Sequence, residues 1–138
     1  MLIPIYINKG QSMLIKLLFI LVFLSKNSLA VDFNNKGLVC QLDDSKEDTV
    51  YEIYLFKKST FTSFYFLYKN NNILIKKTKA EKYMIDESNL ILRGIKINKK
   101  KLNYNVMGGD YYCKLHTEVS LMQELDNIKK RKLDIKNN

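Results

Sequence analysis

The segment from Val50 to Thr78 reads VYEIYLFKKSTFTSFYFLYKNNNILIKKT, and its pattern decides the fold class. Three short runs rich in aromatic and β-branched residues, Val50–Phe56, Phe61–Tyr68 and Ile73–Thr78, alternate with polar stretches. Runs of this length and composition, bounded by turn residues, are typical of β-strands. Lys69–Asn72 is a turn, because Asn accepts left-handed backbone conformations. The segment therefore predicts three strands joined by tight turns.

The same spacing continues on both sides of this segment. Further strands are predicted at Gly37–Leu42, Lys82–Ile85, Leu90–Ile97, Leu102–Val106 and Tyr111–Leu115. We expect a bend or bulge at Gly94 and a hairpin turn at Gly108-Gly109. Seven or eight short strands in sequence predict a mainly β fold, an antiparallel meander that either closes as a small barrel or folds as a sandwich.

The C-terminal part has the period of a helix. Ser120 followed by Gln123 has the form of a capping box, which places the start of the helix at Ser120. One apolar stripe follows, made of Leu121, Leu125 and Ile128. We expect a β-domain at 31–116 and a helix with a frayed tail at 117–138, the helix itself covering Ser120–Lys132.

The first thirty residues have the pattern of a secretory signal peptide. Lys9, Lys16 and Lys26 are their only charged residues, the run Leu17–Leu24 is unbroken and apolar, and small side chains stand at Ser28 and Ala30. The predicted signal peptide is 1–30, with Met13 as an alternative start. The protein is then periplasmic or secreted. The alternative is an uncleaved N-terminal anchor that holds the protein on the membrane, facing the periplasm.

The chain has two cysteines, Cys40 in the first predicted strand and Cys113 in the last. An exported chain with two cysteines oxidises them, and the first and last strands of a closed meander are neighbours. We therefore predict a Cys40–Cys113 disulfide. The alternative, a nucleophilic Cys113 assisted by His116, needs a reduced thiol and an orienting group.

Aromatic residues are concentrated in two of the predicted strands. The candidate ligand face consists of Tyr51, Phe64, Tyr65, Phe66 and Tyr68. Strand alternation places Tyr65 and Leu67 on one side of the sheet, and Phe64, Phe66 and Tyr68 on the other. A stacking surface for a sugar, a base or a lipid chain is one interpretation. The other, which we favour, is a central strand with the core on one side and a helix on the other.

The formal net charge is +9, and lysine accounts for 21 of the 23 basic residues. Candidate anion-binding residues are Lys76, Lys77, Lys79, Lys99, Lys100 and Lys101. Lysine-rich and arginine-poor composition follows from AT-rich codons and argues against a nucleic-acid partner, whereas an anionic membrane surface or polymer remains open. We favour the interpretation that these lysines protect strand edges from aggregation.

Residues for catalysis and metal binding are scarce. A single His excludes a two-His metal site within one chain, and the carboxylates of Asp43–Asp48 lack the spacing of a calcium loop. We predict no metal, no cofactor and no enzyme activity, with a small hydrolase as the remaining catalytic alternative. The predicted function is an exported, non-catalytic β-domain that binds an unknown small molecule or protein. A membrane-associated accessory protein, held by the uncleaved N-terminal segment, is the alternative.

Two short motifs carry a resemblance. Ile97–Tyr104, followed by Tyr111–Leu115, resembles the "I-N-R-x-T-L-x-L … Y-x-C" ending of small, uncharacterised, signal-peptide-bearing proteins of AT-rich marine bacteria, and Lys36–Cys40 is similar to their "K-G-x-x-x-C" opening. Lys99 and Lys101 stand where Arg and Thr are usual. The resemblance implies export, β structure and the cysteine pair, and it implies no activity.

Overall fold

The computed structural model describes residues 31–43 and 49–138, together with positions 10 and 16. The chain divides into the units Met1–Val31 and Asp32–Asn138, and the fold described below belongs to the second. Apart from positions 10 and 16, the predicted signal peptide lies outside the described residues, as do the alternative start at Met13 and most of the acidic loop, 44–48.

The described residues form ten strands and one long helix. The strands are β1 (Lys36–Leu42), β2 (Tyr51–Lys57), β3 (Thr60–Lys69), β4 (Asn72–Lys77), β5 (Glu81–Lys82), β6 (Met84–Ile85), β7 (Asn89–Leu92), β8 (Ile95–Asn98), β9 (Asn103–Val106) and β10 (Gly109–Thr117). The helix α1 covers Glu118–Asn137. The prediction of a mainly β fold with a C-terminal helix is confirmed.

All the strands belong to one antiparallel sheet with the order β4-β3-β2-β1-β10-β9-β8-β7-β6, and β5 pairs with β3 outside this path. The predicted strand Lys82–Ile85 is divided at Tyr83, so that β5 pairs with β3 while β6 pairs with β7 at the other end of the sheet. Because β5 and β6 follow each other in the chain but pair near opposite ends of the sheet, the sheet is curled into a half-barrel. The result is one curled sheet and not the two stacked sheets of a sandwich.

Three of the hairpins turn through two residues with positive φ, the geometry that matches the twist of paired strands. The turn residues are Asn70 (48°) and Asn71 (61°), Arg93 (48°) and Gly94 (82°), and Met107 (50°) and Gly108 (78°). The predicted turn at Lys69–Asn72 is confirmed. The single bent strand predicted at Leu90–Ile97 is wrong, because Arg93-Gly94 reverses the chain between β7 and β8. The positive φ of Arg93 is a strained conformation for a residue other than glycine. Its side chain forms an ion pair with Glu81 and lies over the Phe61 ring, and these contacts favour the conformation.

Both faces of the central strands are buried. The inner face of the half-barrel carries an aromatic and aliphatic core: Phe33, Leu38, Cys40, Tyr54, Phe56, Phe61, Leu90, Leu92, Ile97 and Tyr104. On the other side, which we call the helix face, Val39, Ile53 and Leu55 pack against α1. Burial on two faces explains why β1 and β2 are almost continuously apolar.

The helix docks through the predicted stripe, since Leu121, Leu125 and Ile128 are all buried against the helix face. Its cap differs from the prediction. Thr117, not Ser120, is the N-cap, and its hydroxyl oxygen accepts a hydrogen bond from the Ser120 N–H at 3.1 Å. The helix begins at Glu118 and continues to Asn137, through the segment predicted to be a frayed tail.

The predicted disulfide joins neighbouring strands. Cys40 and Cys113 face each other across β1 and β10, with their Sγ atoms 2.02 Å apart and their Cα atoms 3.9 Å apart. The Cys113 N–H donates to the Leu102 carbonyl on the opposite side of β10, so the cysteines occupy a pair without mutual backbone hydrogen bonds. Side chains are closest at such pairs. The disulfide therefore fixes the register of the central strands.

Candidate functional site

The structure separates the five predicted ligand-face aromatics. Tyr51, Phe64 and Phe66 are partly buried against the helix-face core, and Tyr68 shares their face by strand alternation. The Lys132 ammonium lies 5.7 Å from the Tyr51 ring centroid and 6.0 Å from that of Phe66. Tyr65 alone points to the inner face. The helix covers one face of β3, as in the interpretation that we favoured, but the other face is exposed at Tyr65 and Leu67. No single aromatic platform contains all five residues.

The candidate anion-binding lysines also fall into two groups. Lys76 and Lys77 lie on β4 and Lys79 follows it, whereas Lys99–Lys101 occupy the turn between β8 and β9. In the sheet order, β3, β2, β1 and β10 stand between β4 and β9. The turn lysines have local contacts: Lys99 Nζ donates to the Asp86 carbonyl at 2.6 Å, and the next two N–H groups donate to Asn98 Oδ1.

Strand β4 has an unpaired edge among the described strands. The two-residue turn between Lys69 and Asn72 makes these residues a hydrogen-bonded pair, and alternate residues then direct their N–H and C=O groups away from β3. These are Ile73, Ile75 and Lys77. Asn72 Oδ1 accepts the Ile73 N–H at 2.8 Å. No described residue pairs with the outward backbone groups of Ile75 and Lys77. We call these groups the free edge of β4.

An exposed apolar strip lies beside this edge, on the inner face. It consists of Val50, Tyr65 and Leu67, whose exposed fractions are 48%, 49% and 44%. Leu67 pairs with Leu74 of β4, and Tyr65 pairs with Lys76. Continuing the β2–β3 register from the Ile53–Phe64 pair places Val50 opposite Leu67. These three residues, which we call the inner strip, therefore form a continuous surface that ends at the free edge.

A polar cluster lies next to the inner strip. Glu52 is opposite Cys40 in the sheet and accepts a hydrogen bond from the Tyr54 hydroxyl at 3.5 Å. Burial raises the pKa of Tyr54 far above its ordinary value, and the Glu52 carboxylate raises it further. The Tyr104 hydroxyl lies near that of Tyr54, where burial raises its pKa too, yet it makes no hydrogen bond of standard geometry with a described residue. Both tyrosines are thus neutral, and Tyr54 donates its hydroxyl hydrogen bond to Glu52.

Sequence reasoning missed this cluster, although the alternation Glu52, Tyr54, Phe56 already placed the three side chains on one face. The missing information was the position of Tyr104, which stacks on Tyr111 with ring centroids 4.8 Å apart. The register joins Tyr111 to Leu42 on β1. A contact between residues fifty positions apart is invisible without the strand order.

The described contacts bear on the catalytic alternative at Cys113 and His116. Cys113 is bonded to Cys40 and offers no thiolate. His116 lies with Nδ1 2.9 Å from Ser120 Oγ. Among the described residues, no cluster of three or more His, Cys, Asp and Glu side chains is arranged to hold a metal ion.

No protein-family model matches the chain, and neither a curated protein nor a solved structure does. In the part of the chain that the structure describes, no helix combines the length and the apolar character needed to cross a bilayer. The features that bear on function are therefore the free edge of β4, the inner strip and the polar cluster.

Proposed function

We propose that this protein is an exported, non-catalytic binding domain that captures an extended segment of a partner protein as an additional strand on β4. The observation that carries the proposal is the contact between an unpaired strand edge and an exposed apolar strip. Each feature alone is a hazard for a secreted protein, since edges and apolar patches promote aggregation. Together they have the parts of a strand-addition site, in which the backbone supplies affinity and side-chain contacts supply specificity.

The backbone part of the site is short. The open N–H and C=O groups of Ile75 and Lys77 can form the alternate hydrogen bonds of an antiparallel or parallel pair with a guest strand. Asn72 covers the Ile73 N–H at the turn end, so pairing would begin at Ile75 and continue past Lys77.

Side chains would select the guest. A guest residue on the inner face would lie beside Leu74 and extend the apolar surface formed with Leu67. At the other end of β4, Lys76, Lys77 and Lys79 are cationic, and no ion pair joins any of them to a described residue. We therefore expect a guest with alternating apolar residues and acidic residues at one end.

Export is supported by two features. A disulfide between the central strands belongs to an oxidising compartment, and residues 1–30 have the composition of a signal peptide. N-terminal sequencing of the exported protein tests this part. A start at Val31 is expected, and a start at Met1 or Met13 would favour the membrane-anchored alternative.

Selection from a displayed random decapeptide library tests the binding. We expect enriched peptides to alternate apolar residues and to carry Asp or Glu at one end. Binding should be lost in Ile75→Pro, which removes an outward N–H that a guest needs while leaving the β3 bonds in place. It should weaken in Lys76→Gln/Lys77→Gln, whereas the matched pair Lys100→Gln/Lys101→Gln should bind as before.

A second pair of variants covers the case in which Ile75→Pro does not fold. Tyr65 and Tyr112 are almost equally exposed, at 49% and 52%, but lie on opposite faces of the sheet. Tyr65→Ser should weaken peptide binding and Tyr112→Ser should not. Equal binding by both variants, or peptides without the alternation, would refute strand addition.

A further inference from the structure

A polar cleft lies on the helix face, on the opposite side of the sheet from the inner strip. It encloses about 330 Å³ between α1 and strands β1, β2 and β10. Its polar walls are formed by Gln41, Tyr51, Tyr112, Lys114, His116 and Glu124. The volume is at the lower end of the range for small-molecule sites. We call it the helix cleft.

The floor of the helix cleft is one row across three strands. Gln41 pairs with Tyr51 on one side and with Tyr112 on the other. An amide thus stands between two phenol rings, one partly buried and one, Tyr112, 52% exposed. Lys114 lies in the next position of the same face and pairs with Val39.

Several polar groups of the cleft have unused hydrogen-bonding capacity. The side chains of Gln41, Tyr112 and Lys114 form no hydrogen bond or ion pair with a described residue. His116 uses Nδ1 toward Ser120, which leaves Nε2 for a ligand. Burial lowers the pKa of His116, so the ring is neutral at pH 7. The cleft therefore offers several donors.

The cleft also contains a strong acceptor. Glu124 accepts hydrogen bonds from Arg131 at 2.8 Å and from Asn127 at 3.4 Å. The bond from Arg131 lowers the pKa of Glu124, so its carboxylate is ionised over the whole neutral range. Lys114 lines the same cleft and forms no ion pair with a described residue.

This balance of charge decides between ligand classes. A polyanion would be attracted by Lys114 but repelled by the ionised Glu124 carboxylate. An apolar ligand would bury hydrogen-bond donors without partners, which costs free energy of binding. A polyhydroxy ligand needs donors and acceptors side by side and stacks its C–H face on an aromatic ring. We infer that the helix cleft binds one or two sugar residues, with a ring on Tyr112 and hydroxyl groups on Gln41 and Glu124.

The site is independent of strand addition, since it lies on the other face, and its experiment distinguishes the two. The exported protein, ¹⁵N-labelled, is titrated with maltose, N,N′-diacetylchitobiose and inorganic phosphate while amide shifts are followed. We expect saturable shifts at Gln41, Lys114 and His116 with at least one of the two sugars, and none with phosphate.

Two variants test the assignment to the cleft. Tyr112→Ala should weaken sugar binding about tenfold, the order of one aromatic contact. Tyr65→Ala, the matched change on the inner face, should leave sugar binding unchanged. Saturable shifts with phosphate alone, sugar binding that is lost in Tyr65→Ala, or no saturable shift with either sugar would overturn the inference.

Discussion

The packing of α1 on the sheet makes a quantitative prediction at Gly37. A Cβ atom added there would lie 2.6, 2.8 and 2.9 Å from the Cδ2, Cδ1 and Cβ atoms of Leu121. Separations under 3.0 Å do not occur between packed carbon atoms, so the helix must shift in Gly37→Ala. Gly37 is therefore required for close contact between strand and helix.

The expected loss of stability is estimated for the two single substitutions, Gly37→Ala and Leu121→Ala, and then for the double variant. Overpacking of this kind costs about 1–3 kcal/mol. Leu121 is fully buried, so Leu121→Ala should cost about 2–5 kcal/mol through lost burial and the remaining cavity. In the double variant the two Cδ contacts are gone, and only the 2.9 Å contact with the Cβ atom, which alanine retains, is left, so most of the overpacking is relieved. The double variant should then be more stable than the sum of the single changes predicts, by at least about 1 kcal/mol.

Urea unfolding of the four oxidised proteins measures this coupling. Gly109→Ala is the control, because its added Cβ would contact Leu42 Cδ1 at 2.8 Å, away from the helix. Gly109→Ala and Leu121→Ala should be additive within about 0.5 kcal/mol. If Gly37→Ala and Leu121→Ala are equally additive, α1 does not dock at Gly37 and the helix face is not formed as described.

Three further predictions concern the disulfide, the turn lysines and His116. Thiol labelling of the native protein should modify neither Cys40 nor Cys113, and labelling of both would contradict the bond. Reduction should lower the free energy of unfolding by about 4 kcal/mol, the value for a closed loop of this length. Replacement of Lys99, Lys100 and Lys101 by Gln should leave co-sedimentation with anionic vesicles unchanged and increase aggregation. If the wild-type protein binds these vesicles tightly at low salt and the variant does not, the three lysines form an anion site. Burial lowers the pKa of His116 below its ordinary value of about 6.5, so the unfolded chain binds the proton more tightly and stability falls as the pH drops below 6.5. His116→Gln should reduce that pH dependence of the urea midpoint, and an unchanged slope would refute the assignment.

Local sequence patterns were sufficient for much of the fold. Short aromatic and β-branched runs between turn residues located β2 to β4, and a helical period located the stripe from Leu121 to Ile128. The cysteine pair was predictable because export and strand closure both favoured it. These features depend on neighbouring residues or on two unique positions, so a single sequence carries them.

Other features depend on contacts that the sequence does not display. Arg93 occupies a left-handed turn position that usually takes Asn or Gly, and the contacts that favour it come from Glu81 and Phe61. The N-cap moved to Thr117 because β10 extends to that residue, a length that propensity alone does not set.

The candidate site was the least predictable part. Alternation separated Tyr65 from Phe64 and Phe66, but it did not say which face the helix covers. That β4 is at the edge of the described sheet follows from the order of its strands, and therefore from pairings between residues far apart in the chain.

Hydrogen exchange at the free edge of β4 tests the central proposal most directly. In the protein without peptide, the Ile75 and Lys77 amides should exchange quickly, while the Leu74 and Lys76 amides, which are bonded to β3, should exchange slowly. With an excess of the most enriched decapeptide, exchange at Ile75 and Lys77 should slow at least about tenfold, as new strand hydrogen bonds form. Unchanged exchange at both amides in the complex would contradict strand addition, as would protection of both before any peptide is added.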